Sequence, residues 1–133
     1  VENTPTDFRI KKIIGKQIDY NDVQIRRAKG YDHNYVFTND GKLKKMAKLY
    51  CDESGITMTV YSDLCGMQLY TGNFLDGVVG KGGTRYEEKA GICFETQYYP
   101  NACNEEHFPS SVSSYRGTRQ PTSRIQRLRR LHR

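Results

Sequence analysis

Three short stretches of the 133-residue sequence set a carboxylate or an amide among aromatic and small residues: Gly30-Tyr31-Asp32-His33-Asn34, Gln68 to Gly77, and Cys93 to Pro100. The Asp32 carboxylate can accept hydrogen bonds from two adjacent hydroxyls. In an Asp-His-Asn turn it can equally bond its own backbone. Gln68 shares a strand face with Tyr70, and an amide beside an aromatic edge suits a sugar: one donates and accepts, the other packs on C–H surface. Asn73 follows in the Thr71-Gly72-Asn73 turn. If Ile92 to Tyr98 is extended, Cys93, Glu95 and Gln97 face one side, and Ile92, Phe94, Thr96 and Tyr98 the other. A carboxylate among apolar neighbours has its pKa raised by desolvation, which helps a general base near neutrality. A solvent-facing glutamate is the plainer reading of a lone Glu on a strand. His33, in an extended segment, points away from Asp32 and reads as structural. The glycine-rich run from Gly77 to Thr84 fails as a phosphate loop, because its spacing is wrong and Gly82 stands where Ser or Thr would bind magnesium.

The elements that must position these groups read as strands. Ile56-Thr57-Met58-Thr59-Val60-Tyr61 alternates apolar and polar at period two, the pattern of a strand with one buried face. Lys45 to Cys51 is its expected hairpin partner through the turn-prone Asp52-Glu53-Ser54-Gly55. Met67 to Thr71 and Ile92 to Tyr98 are further expected strands, and Gly77 to Gly83 a loop. Asn21 to Lys29 fits a short surface helix and an irregular loop equally well. The predicted fold class is all-β, part of a large antiparallel β-sandwich.

The formal charge of +6 would suggest a nucleic-acid or membrane partner if it were spread over the chain. It is not. Residues 110–133 hold seven of the 21 basic residues, all Arg, and no acid, whereas residues 1–109 balance to −1. No nucleic-acid or membrane partner is therefore expected for the body. Residues 110–133 are read as a separate basic tail, non-native or disordered. Ile125, Leu128 and Leu131 would also suit a basic amphipathic helix for RNA or anionic lipid. The four cysteines form no C-x-x-C pair and are read as free structural thiols, so no metal is expected. With no signal-like segment and no apolar run near 18 residues, the chain reads as soluble and cytoplasmic.

The three opening stretches, in that order and spacing, resemble the C-terminal part of the aldose 1-epimerase, or galactose mutarotase, family over roughly residues 1–109. The resemblance implies a β-sandwich enzyme that interconverts the α and β anomers of free hexoses without a cofactor. It implies that Glu95, in a Cys-x-Glu-Thr-Gln segment, takes the proton of the anomeric hydroxyl, and that Asp32 and Gln68 hold sugar hydroxyls with help from Asn73. Cys65 departs from the family pattern, where proline usually precedes Gly66. The family's catalytic histidines and arginine lie upstream of the matched region, so the chain reads as a fragment, inactive or nearly so alone, with exposed sheet edges favouring self-association. A non-catalytic carbohydrate-binding β-module is the second expectation.

Overall fold

Six strands form among the described residues, which in the computed structural model are 1–112 and 121–129. They are β1 (Asp32–Val36), β2 (Lys44–Tyr50), β3 (Ile56–Ser62), β4 (Gly66–Tyr70), β5 (Cys93–Gln97) and β6 (Ser123–Arg129). They make two three-stranded sheets, ordered β1-β4-β5 and β2-β3-β6. Among the described residues the helical content is one six-residue helix, α1 (Val23–Ala28), and two single 3-10 turns. The all-β expectation holds.

The β2–β3 hairpin is the one the sequence announces. Leu49 pairs with Met58 and Tyr50 with Thr57, and the turn closes with Cys51 N–H donating to the Ile56 carbonyl at 3.0 Å. Gly55 supplies the left-handed conformation at φ 62° that a β-branched residue would resist. The register slips between Lys45 and Ala47. An extra residue in one strand turns successive side chains toward the same side, and Met46 is buried while Ala47 also packs on the core. β3 differs from its expected single buried face, since the neighbours Thr59 and Val60 are both buried. β3 is the central strand of its sheet, with β2 on one side and β6 on the other.

β6 lies where a tail or a helix was expected. Ile125 and Leu128 stand on an extended strand opposite Val60 and Thr57, and an odd separation sends them to opposite faces. Leu131 lies outside the described residues. The strand start is fastened by side chains. Ser62 Oγ donates to the Thr122 carbonyl at 3.1 Å, Thr122 N–H donates to Asp63 Oδ1 at 2.8 Å, and the Ser123 hydroxyl bonds Thr96 at 2.6 Å. These contacts recruit a polar segment to the free edge of β3, which a scan for apolar periodicity does not register.

The chain divides into two compact units, each built from two stretches: Val1–His33 with Leu69–Cys93, and Asn34–Gln68 with Phe94–Arg133. In the second unit Met46 and Val60 of one sheet share a core with Met67 of the other, and Phe37, Met58 and Phe94 pack against it. Side chains of two sheets meeting in one apolar layer is sandwich packing. In the first unit Asp22 caps α1, its Oδ1 accepting from the amides of Gln24 and Ile25. The helix ends at Lys29 in the left-handed conformation, and Gly30 N–H donates to the Ile25 carbonyl. Ile25 and Tyr31 are fully buried. Of the two readings of 21–29, the helix is the one adopted, because it has both caps.

Candidate functional site

In the first unit, Asp32 follows directly on a tightly held backbone. Tyr31 is 0% exposed, its ring lies edge-on to Phe8, and its hydroxyl donates to the Pro5 carbonyl. Its backbone N–H donates to Thr71 Oγ1 at 3.0 Å, and its carbonyl accepts from Thr71 N–H at 3.1 Å. The Asn73 amide group adds two donations, to the carbonyls of Ala28 at 2.7 Å and Tyr31 at 3.0 Å. Its Oδ1 lies 2.6 Å from the Thr71 hydroxyl. Asn73 is 3% exposed, so its polar atoms face this network and not solvent. Residue 30 must be glycine here: its φ is +145°, and a Cβ would overlap Asn73 Oδ1.

Asp32 itself is half-buried, and its backbone N–H donates to His33 Nδ1 at 3.0 Å. That bond requires an unprotonated Nδ1. Burial lowers the His33 pKa, against the opposing pull of the Asp32 and Asp22 carboxylates. His33 thus touches Asp32 through the backbone, in keeping with a structural reading.

In the second unit, Gln68 and Glu95 come to one face of a sheet. Met67 and Phe94, their immediate neighbours, both join the core cluster, and alternation sends Gln68 and Glu95 the other way. Gln97 stays on that side and donates from Nε2 to Asn34 Oδ1 at 3.3 Å. Gly66 passes beneath this amide pair, where a Cβ would come within 2.9 Å of Asn34 Oδ1 and 3.0 Å of the Gln97 carbonyl. Along β4, Met67 and Leu69 are buried while Gln68 and Tyr70 are half-buried, as the alternation requires. Glu95 is exposed, with Cys93 beside it on the same side. It thus stands outside the apolar surroundings expected for it, because Phe94 carries the apolar contact on the opposite face.

Sequence reasoning missed Asn34, and it gave Thr71 no part. Asn34 lies two residues after Asp32 in the same strand, and the period-two rule applied to β1 would have drawn attention to it. Thr71 acts through a contact 40 residues away in sequence, which no local pattern reveals. Among the described residues, no group of three or more His, Cys, Asp or Glu side chains could hold a metal ion. All four cysteines are free, with Cys65 buried and the others exposed.

A profile of the aldose 1-epimerase family matches residues 1–119. The chain belongs to the aldose 1-epimerase family. Over 110 residues, 82% of this chain, it is 38% identical to galactose mutarotase of Sus scrofa and 37% identical to that of Bos taurus. The aldose 1-epimerase of Escherichia coli K12 is 33% identical over the same share. The chain spans 31% of the length of the two mammalian relatives and 32% of the bacterial one. Gln68 and Glu95 stand on the strands β4 and β5 in the second unit, and Asp32 stands on the strand β1 in the first. Asn73 stands on none of them; it is in the turn after β4.

Proposed function

We propose that this chain serves the exchange of α and β anomers of free hexoses, such as galactose or glucose. Glu95 takes the proton from the anomeric hydroxyl while an acid protonates the ring oxygen. The ring opens, the C1–C2 bond rotates, and reclosure on the other carbonyl face yields the second anomer as acid and base exchange roles. Asp32 and Gln68 hold the sugar hydroxyls. No residue of this chain is assigned the acid role. The single observation that carries the reading is the shared, core-opposed face of Gln68 and Glu95, whose neighbours Met67 and Phe94 fill the core. The exposure of Glu95 suits a base that must meet a hydroxyl arriving from water. Within the second unit, Asn34 bonds Gln97 on the Glu95 side of β5. No arginine stands between Arg27 and the tail except Arg85, which favours free sugars over sugar phosphates. We place the activity in the cytoplasm. Among the described residues no helix is long and apolar enough to cross a membrane.

Polarimetry of freshly dissolved α-galactose tests this, beside galactose titrations of the same chains. A general acid typically contributes about 10²–10⁴ in rate, so the acceleration expected from this chain is small. Whatever exceeds buffer disappears in Glu95→Gln, which still binds galactose, whereas Asp32→Ala and Gln68→Ala lose binding. Acceleration undiminished in Glu95→Gln removes the base assignment, and binding intact in the other two removes the sugar-holding one. Binding without any acceleration, unaffected by Glu95→Gln but abolished by Asp32→Ala and Gln68→Ala, favours a non-catalytic carbohydrate-binding module instead.

A further inference from the structure

We infer that Asn73 is a positioning residue for Asp32, acting through the backbone of Gly30 and Tyr31 and touching no sugar. The inference rests on the reading of Asp32 as a sugar-holding carboxylate. Its basis is the closed set of bonds around Asn73. Both N–H donors of its amide go to main-chain carbonyls, of Ala28 at the end of α1 and of Tyr31 at the entrance to β1. Its oxygen faces the Thr71 hydroxyl, which also accepts the Tyr31 N–H. At 3% exposure the side chain has no route to a ligand. One side chain thus ties the helix end, the strand entrance and the turn after β4 into a single knot. Asp32 is the first residue beyond it.

The knot is tight as well as closed. Gly30 is compatible with it only because it lacks a Cβ, which would overlap Asn73 Oδ1 and come within 3.0 Å of Thr71 Oγ1. The aromatic side of Tyr31 is fixed by Phe8 and by the Pro5 carbonyl. Backbone freedom at Asp32 is thereby removed on its N-terminal side, and on its own N–H by the bond to His33 Nδ1. A carboxylate that must meet two hydroxyls at hydrogen-bond distance gains from such fixing, since small misplacements of binding groups cost large factors.

Two readouts on the full chain test the inference, and one of them does not involve sugar. In Asn73→Ala the Tyr31 and Ala28 carbonyls lose their donors and the Gly30–His33 segment loosens. The NMR titration midpoint of His33, assigned against His33→Gln, then moves up as its burial is relaxed, with the Asp32 and Asp22 carboxylates left to stabilise the protonated ring. Galactose affinity falls by roughly tenfold or more, while the amide signals of β2 and β3 stay in place. Thr71→Val reproduces both changes without opening a cavity and keeps the test readable if Asn73→Ala does not fold; Thr71→Ser restores the parent behaviour. A His33 midpoint and an affinity both unchanged in the folded variants overturn the inference, as does lower stability with unchanged affinity. If the parent chain binds no galactose, the reading of the site fails by itself, and an unmoved His33 midpoint would still refute the positioning role.

Discussion

His33 shows how a single residue can record the state of the segment that carries Asp32. Its ring nitrogen accepts the Asp32 N–H, and burial holds its pKa below the ordinary 6.5 while two carboxylates pull the other way. A histidine with a depressed pKa binds protons less tightly when folded than when unfolded. Its contribution to stability is therefore present above the ordinary pKa and is lost as pH falls through that value toward the lowered one. Urea midpoints compared at about pH 7.5 and about pH 5 should show lower stability on the acid side. His33→Gln should flatten that part of the profile; an acid loss of equal size in the variant assigns it to other groups. The residue scale is also where the sequence was least informative about role. Asn73 and Asp32 look alike in a string, short polar residues within two positions of a glycine, and only the bonds to Ala28, Tyr31 and Thr71 mark Asn73 as a side chain that holds the fold.

Elements whose signal is local were legible, and those whose signal is a long-range contact were not. The β2–β3 hairpin followed from period-two alternation and a Ser-Gly turn, both contained within 20 residues of chain. Met46 broke the pattern, since a bulge is a property of the pairing and not of either strand alone. β6 was hidden for a similar reason. Its arginines suggested a solvated tail, yet its start is held by Ser62, Asp63 and Thr96, contributed by two separate parts of the chain. Asp63 supplies one of these bonds, accepting Thr122 N–H at 2.8 Å. Asp63→Ala should destabilise the chain by about 1 kcal/mol, the usual net value of one hydrogen bond, and should speed amide exchange across β6 ahead of β2. Asp63→Asn, which keeps an acceptor oxygen, should lose less. Exchange that accelerates equally in β2 and β6 would show that the clamp stabilises the whole sheet and not its added strand.

Over the whole molecule, the charge partition and the strand order answer the same physical problem. Net charge was legible as a number and misleading as a location, because the seven Arg of residues 110–133 suggested a detached segment while part of that segment completes a sheet. A central strand such as β3, with Thr59, Val60 and Ser62 buried, cannot present a free edge without inviting another strand onto it. β6 occupies that edge, and its own side chains Arg124 and Arg127 are exposed, the kind of charge that keeps an outer strand from pairing further. Self-association is therefore expected to depend on β6. Deleting residues 121–133 uncovers β3 and should convert the chain to concentration-dependent oligomers in sedimentation velocity. A lysine placed on the uncovered strand at the half-buried Thr57, Thr57→Lys, should reverse much of that effect by charging the edge. High salt, which screens charges beyond about 10 Å at 0.1 M and more closely above it, should weaken the rescue by lysine while leaving the oligomers of the plain deletion intact. A deletion variant that stays monomeric at every concentration would show that β3 does not need β6 to be protected, and the arginines would then have to be explained by a binding partner for residues 110–133.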